Sequence, residues 1–144
     1  MSFCEPCPGL VVRYAYLWRH EAARGREEGS KDRPCVVVLA VRVRGVDLIV
    51  TVAPITHRPP EAASRAVELP VATRRRLGLD AARPWIVTDD LNRFVWPGPD
   101  LRPIPGRPAS FAYGLIPAAL YEQVRLAVLD HAREGRVRRI DRTE

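Results

Sequence analysis

Short apolar runs separated by turn residues dominate the pattern of this chain. Two of them, residues 34–43 and 46–56, are rich in valine and isoleucine and flank Arg44-Gly45. β-Branched runs of this length on either side of a glycine predict a β-hairpin. Because both runs are apolar almost without a break, we expect the hairpin to lie centrally in a sheet and to be covered on both faces.

Weaker patterns elsewhere predict shorter elements. Strands are expected at 9–18 and 66–69, and as two pieces around the Asp89-Asp90 bend within 85–95. One or two helical turns are expected at 71–77, ended by Gly78. The charged segment 20–31 and the proline-rich segment 97–108 are predicted loops, since proline neither donates to a sheet nor continues a helix.

The one long helical pattern covers residues 117–133. Pro117 suits the first helical position, and Gly135 suits the cap after the last turn. One apolar stripe at helical spacing contains Leu120, Val124, Ala127, Val128 and His131. His131 is expected to pack or cap. Leu126 and Leu129 lie off this stripe, and are either partly exposed or cover a partner subunit.

These elements predict a mainly β fold with helices. The length of 144 residues suits one domain with a real core. We expect a flexible N-terminal tail at 1–8, a domain at 9–135 and a basic C-terminal tail at 136–144. Such a tail is usually solvated, and a phosphate-binding arm is the alternative.

The charge of the chain narrows the class of partner. The formal net charge is +6, and Lys31 is the only lysine, so the excess comes from arginine. Arginine binds phosphate in a bidentate way, which favours nucleic acid, acidic peptides or anionic surfaces. Charge that serves only solubility is the alternative. No apolar run approaches the roughly 20 residues that a membrane span needs, and no signal peptide is evident. These features predict a cytoplasmic protein without a membrane partner.

Cysteine and histidine offer little for a metal site. Three cysteines are an odd number, which argues against a disulfide framework. Cys4 and Cys7 have metal-ligand spacing, but no second such pair exists and Cys35 sits in an apolar run. A zinc site would have to borrow His20 or His57. We therefore expect free thiols, with no metal and no cofactor.

The two ends of the predicted hairpin carry the most interesting polar residues. Arg33 opens the first strand and Thr56 closes the second, so the hairpin returns them to the same end of the sheet. A fixed guanidinium beside a hydroxyl can grip a phosphodiester and stabilise charge on it. The alternative is structural: an arginine that caps the sheet or pairs with Asp32, and a threonine of ordinary strand composition.

If the phosphodiester is that of RNA, cleaving it without a metal needs further groups. The ribose 2′-OH is the nucleophile in such a reaction, so two protons must move. His57 and Glu28 are the candidates for proton transfer, and the products would be a 2′,3′-cyclic phosphate and a 5′-OH. Three tryptophans could stack on bases, namely Trp18, Trp85 and Trp96. Trp85 is expected in the core, and Trp96 is expected to be the most exposed.

The order of these motifs resembles the MazF/PemK family of toxin endoribonucleases. The resemblance runs from about Gly9 to Leu129. It rests on EGSKDRP at 28–34 before the valine run, VAPIT at 52–56, TDD with LNRF at 88–94, and the closing helix.

The resemblance implies a small SH3-like barrel of the MazF/CcdB type with a C-terminal helix. It implies a homodimer that cleaves single-stranded RNA without metal and is neutralised by a cognate acidic antitoxin. The catalytic arginine and threonine of the family fall on Arg33 and Thr56, its glutamate on Glu28 and its later aspartate on Asp89. The predicted RNA-binding residues are Glu28, His57, Asp89, Asn92 and Arg93.

Two alternatives of other classes stay open. One is a non-catalytic toxin of the CcdB type that binds DNA gyrase, which would not need Arg33 beside Thr56. The other is a degenerate RNA- or protein-binding module that keeps the barrel and lacks the activity.

Overall fold

Strands make up most of the ordered structure. The computed structural model describes residues 6–18, 32–45, 47–79 and 83–142. Its strands are β1 (Leu10–Tyr14), β2 (Arg33–Val43), β3 (Asp47–Thr56), β4 (Ala66–Glu68), β5 (Trp85–Val87), β6 (Asp90–Val95), β7 (Ala112–Leu115) and β8 (Arg138–Asp141). Its helices are α1 (Val71–Leu77) and α2 (Ala118–Arg133), with a 3-10 turn at Ala63–Arg65. The predicted fold class, mainly β with a C-terminal helix, is confirmed.

The strands form one sheet in the order β4-β5-β3-β2-β1-β7. Along one edge of β3, β5 pairs with Ile55–Thr56 and β6 pairs with Ile49–Val52, so the predicted strand, bend and strand at 85–95 is confirmed. All these pairs are antiparallel; β8 joins β6 in parallel. The arrangement is consistent with a small β-barrel-like fold.

The hairpin of β2 and β3 has the predicted turn. Arg44 and Gly45 both have positive φ, at 55° and 69°. This backbone conformation matches the twist of hairpin strands and is easily adopted by glycine. The pair also lies centrally, because β3 and β2 occupy the middle of the sheet.

The prediction that the hairpin is covered on both faces is wrong for its outer half. Residues Cys35 to Val37 are fully buried, but Leu39, Val41 and Val43 are 53%, 44% and 42% exposed. The register shifts between Val37 and Leu39, and from there the face that carries Leu39, Val41 and Val43 loses its cover. The opposite face stays covered, since Val50 is fully buried and Ala40 and Leu48 pack against the aromatic core. A run of apolar residues cannot reveal where the covering layers stop.

Each face of the sheet packs a separate core, since side chains alternate along a strand. The helix-side face carries Val36, Ala53 and Ile55 against Leu77, Leu120 and Val124. The aromatic face carries Cys35, Val37 and Val52 against Tyr14, Tyr16 and Phe94. Trp96 belongs here, with its ring centre 5.4 Å from that of Phe111. It is half-buried, so its predicted exposure is only partial.

Both helices end as the sequence predicts. Gly78 caps α1 in the left-handed conformation, with φ at 71°. Helix α2 begins at Ala118, so Pro117 is the residue before the first turn and not the first helical residue. Leu126 is 49% exposed. His131 is buried and hydrogen-bonded through Nε2 to the Ser64 carbonyl at 2.8 Å, which confirms its packing role.

The prediction of a basic C-terminal tail at 136–144 is wrong for residues 138–142. Strand β8 lies in the sheet, and Arg142 is buried after it. Arg142 forms an ion pair with Asp100 at 3.2 Å and donates to the Ala15 carbonyl at 2.8 Å. These partners lie far away in the sequence. The charge pattern of the tail alone therefore predicted that it is exposed to solvent.

The N-terminal tail lies partly outside the described residues. Within 6–8, Pro6 is buried, and the Cys7 carbonyl accepts a hydrogen bond from the Leu10 amide at 3.0 Å. Cys7 is exposed and, like Cys35, a free thiol. Neither helix in the described part of the chain is long and apolar enough to cross a membrane.

Candidate functional site

Arg33 and Thr56 lie side by side at one end of the sheet. Strands β2 and β3 pair antiparallel up to Cys35 opposite Pro54, and the same register continued two residues further puts Arg33 opposite Thr56. Directly opposed residues point to the same face, here the aromatic face on which Cys35 lies. The placement agrees with the hairpin argument, while the catalytic roles of the two residues stay predictions.

The same level of the sheet continues over further strands. Tyr14 of β1 is opposite Arg33, and Trp85 of β5 is opposite both Thr56 and Glu68 of β4. Cross-strand pairing therefore puts five side chains on one face in a line: Tyr14, Arg33, Thr56, Trp85 and Glu68. We call this line the strand-end row.

Arg33 is held at the start of β2 by contacts on two sides. Its guanidinium carbon lies 5.0 Å from the centre of the Trp18 ring, a cation–π contact. Two residues further along β2, the Cys35 thiol donates to the Arg33 carbonyl at 3.7 Å. Burial raises the pKa of Cys35 far above its usual value, so the thiol stays protonated and supports Arg33 instead of acting as a nucleophile.

Thr56 ends β3 with a local hydrogen bond. Its Oγ1 accepts from the Arg58 amide at 3.2 Å, a turn that leads into Pro59-Pro60. This bond uses an oxygen lone pair, so the hydroxyl proton remains available to a substrate oxygen. Thr56 is half-buried at the edge of the row.

Trp85 is a half-buried residue of the row that belongs to neither core cluster, so its predicted place in the core is only partly met. The Arg83 guanidinium carbon lies 5.4 Å from the centre of its ring. Arg83 Nε in turn donates to Glu68 Oε2 at 2.7 Å. This hydrogen bond lowers the pKa of Glu68 and keeps the carboxylate ionised at neutral pH. Such an exposed pair adds little stability, but it orients Arg83 over Trp85.

A cavity of about 440 Å³ opens on the helix-side face, just beyond the strand ends. Its apolar wall consists of Pro34, Ile55, Leu79, Pro84, Ile104 and Pro105. Its polar wall contains Arg13 and Tyr113, whose Oη accepts from Arg13 Nη1 at 3.1 Å. The Arg107 guanidinium carbon lies 5.9 Å from the centre of the Tyr113 ring.

The rim of the cavity joins it to the strand-end row. Asp32, Arg33 and His57 all line the cavity, while Thr56 does not. Asp32 forms an ion pair with Arg102 at 3.5 Å. His57 is exposed and directly follows Thr56. The predicted residues Arg33, Thr56 and His57 thus lie at the same end of the central strands β2 and β3.

Two other predicted RNA-binding residues lie elsewhere. Asp89 lies in the bend after β5, four residues past Trp85, and its carboxylate is 3.7 Å from Arg65. Arg93 of β6 forms an ion pair with Asp141 at 3.0 Å. Neither side chain belongs to the strand-end row.

The prediction that Asn92 binds RNA is wrong for this structure. Its side chain is completely buried. The amide donates to the Leu17 carbonyl at 2.8 Å and accepts from the Leu17 amide at 2.9 Å, so it serves the fold. Glu28 lies outside the described residues.

Sequence reasoning missed Arg13 and Tyr113, and it expected Trp85, a candidate for base stacking, in the core. Arg13 is the single charged residue in the apolar run LVVRY, and this was its sequence signal. Arginine is rarely buried in a strand unless it has a partner. Trp85 and Tyr113 gave no comparable sign. Their positions depend on strand pairings between segments far apart in the chain.

Across the described ranges, no group of three or more histidine, cysteine, aspartate or glutamate side chains could hold a metal ion. No family model matches this chain, and no curated protein matches its sequence. The geometry at the strand ends is therefore what bears on function.

Proposed function

We propose that this protein is a metal-independent endoribonuclease that cleaves single-stranded RNA in the cytoplasm, of the MazF/PemK toxin type that its motifs resemble. The observation that carries the proposal is the register of β2 and β3, which, continued two residues past Cys35 and Pro54, sets Arg33 opposite Thr56 on one face. Two phosphate-directed donors on neighbouring strands suit a reaction whose transition state concentrates charge on phosphoryl oxygens.

In this mechanism Arg33 binds the scissile phosphate through two parallel N–H donors. Its guanidinium is always protonated, so it stabilises charge and does not move the proton. Thr56 donates its hydroxyl proton to a second phosphoryl oxygen or orients the attacking 2′-OH. Trp18, under Arg33, and Trp85, beside Thr56, flank the phosphate with aromatic surface on which neighbouring bases stack.

The protons move through groups near the same edge. His57 is the described candidate, because it directly follows Thr56, is exposed and carries an imidazole, a side chain that can both accept and donate a proton. Glu28 is the second candidate, by resemblance alone. Glu68 lies about 10 Å from Thr56, two strand spacings away, so it acts on Arg83 instead.

Incubation with single-stranded RNA tests the proposed function. We expect cleavage in excess EDTA, with a 2′,3′-cyclic phosphate and a 5′-OH as product ends. The matched substrate carries one 2′-deoxynucleotide at the mapped cleavage site and should resist cutting there, because the nucleophile is gone. Cleavage that stops in EDTA and returns with Mg²⁺, or cutting of the deoxy substrate, would contradict the mechanism. Absence of cleavage would favour the gyrase-binding or degenerate alternatives.

We further propose a homodimer whose RNA groove is blocked by the acidic segment of a cognate antitoxin. Apolar side chains that a second copy could cover include Leu126 of α2 and the outer hairpin residues Leu39, Val41 and Val43. The net charge of +6 favours both RNA and an acidic competitor, which would bind the same arginines.

Solution measurements test the dimer and its groove. Light scattering at micromolar concentration should give twice the mass of the 16.2 kDa chain. RNA affinity should fall by at least about 100-fold between 50 and 200 mM salt if several phosphates are neutralised. A Val41→Asp variant should weaken the dimer, while Gln123→Ala on exposed α2 surface is the control. A monomer, or affinity indifferent to salt, would overturn this part of the proposal.

A further inference from the structure

We propose that the cavity beside the strand-end row is a base-binding subsite, which takes one RNA base bearing carbonyl oxygens next to the cleaved bond. The inference rests on the proposed function for the RNA that reaches it, but binding in the cavity can be measured without cleavage. Its two central groups, Arg13 and Tyr113, are not among the site residues predicted from the sequence.

The size and lining of the cavity suit a flat, mostly apolar ligand. About 440 Å³ falls within the usual range for small-molecule sites, and a nucleotide fits in that volume. Proline and aliphatic side chains supply the apolar wall, including Pro34 and Ile55 at the ends of β2 and β3. The faces of a base match such a wall, and its polar edge needs a small number of fixed partners.

Arg13 and Tyr113 provide these partners as donors. Arg13 points to the helix-side face beside Pro34, its neighbour in the β1–β2 pairing. Because Arg13 Nη1 donates to Tyr113 Oη, the tyrosine proton is directed to another acceptor. Arginine accepts nothing, so both groups offer N–H or O–H donors to the ligand. Two donors match two acceptors, which guanine presents as O6 and N7 and uracil presents as its carbonyl oxygens, whereas adenine sets an amino donor beside its N7 acceptor.

The main chain fixes Arg13 on both sides. Its amide donates to the Phe111 carbonyl at 2.8 Å, and its carbonyl accepts from the Arg102 amide at 2.9 Å. Arg107 packs over the ring of Tyr113. Side chains held this way select a ligand without much loss of conformational freedom on binding.

The path from the cleavage site to the cavity is short. Arg33 and His57 belong to the cavity rim, and Arg33 also belongs to the strand-end row. An RNA strand whose phosphate lies at Arg33 and Thr56 can therefore turn its neighbouring base over the edge into the cavity. Arg13 and Tyr113 then become determinants of the cleavage sequence.

Calorimetric titration with nucleoside monophosphates tests the subsite without catalysis. GMP and UMP should bind more tightly than AMP. Arg13→Ala should weaken GMP and UMP binding by about 10-fold, and Tyr113→Phe, which removes only the hydroxyl, should also weaken it. Arg133→Ala, an arginine 76% exposed on α2, is the matched control. Equal affinity for all three nucleotides, or unaltered affinity in both folded variants, would overturn the proposal.

Mapping of cleavage sites on a random RNA pool completes the test. Arg13→Ala and Tyr113→Phe should broaden the base preference at one position beside the cut. Unchanged preference in active variants would overturn the subsite and leave the endoribonuclease proposal standing. The converse result, nucleotide binding that depends on Arg13 in a protein that cuts no RNA, would overturn the proposed function and keep the subsite.

Discussion

Replacing Arg33 by alanine should lower the rate of RNA cleavage by at least about 100-fold, while the protein remains folded. Arg33 supplies the guanidinium of the strand-end row and lies opposite Thr56, held over Trp18 and backed by the Cys35 thiol. A preorganised donor of this kind stabilises the charged phosphoryl group without reorganisation during the reaction. Single-turnover cleavage of a labelled RNA measures the loss.

Two further variants make the Arg33 result interpretable. Arg33→Lys keeps the charge and loses the bidentate geometry, so its rate should lie between those of the wild type and Arg33→Ala. Arg133→Ala removes an exposed arginine on α2 and should cleave like the wild type. Circular dichroism and urea unfolding would show that Arg33→Ala is folded. A folded Arg33→Ala protein with wild-type cleavage would remove Arg33 from the mechanism.

The hairpin and its ends could be predicted from sequence because the cause is local. Apolar β-branched runs and a glycine turn fix which strand follows which. Strands of 11 and 10 residues, with the register shift between Val37 and Leu39, then return Thr56 to the level of Arg33. The short helix before Gly78 was predictable for the same reason, since a left-handed glycine ends a helix within one turn.

The remainder of the site depends on pairings between distant segments. Trp85 stands beside Thr56 only because β5 occupies the edge of β3, and no pattern within residues 85–87 indicates that edge. Asn92 was a plausible RNA ligand by its neighbours in sequence, yet Leu17 and Arg142 enclose it from far along the chain. A single sequence does not show which polar groups are buried by partners that lie far away along the chain.

Removing the Thr56 hydroxyl should also slow cleavage, by about 100-fold, the cost of losing one donor to the developing charge. Thr56→Val keeps the shape and β-branching of the side chain, and loses only the hydroxyl with its exposed bond to the Arg58 amide. Thr56→Ser restores a hydroxyl and should recover most of the rate. Thr51→Val, on the same strand and away from its end, is the matched control.

The double variant distinguishes a shared site from two independent effects. If Arg33 and Thr56 act on the same phosphate, the double variant Arg33→Ala with Thr56→Val should cleave little more slowly than Arg33→Ala alone. Without Arg33 the phosphate is no longer positioned for the Thr56 hydroxyl, so losing that hydroxyl costs little more. Residues that act separately would instead multiply their losses, to about 10⁴-fold. Rates measured on one RNA under single-turnover conditions separate these results. Multiplied losses in a folded double variant would mean that the two neighbours in the strand-end row do not share a phosphate.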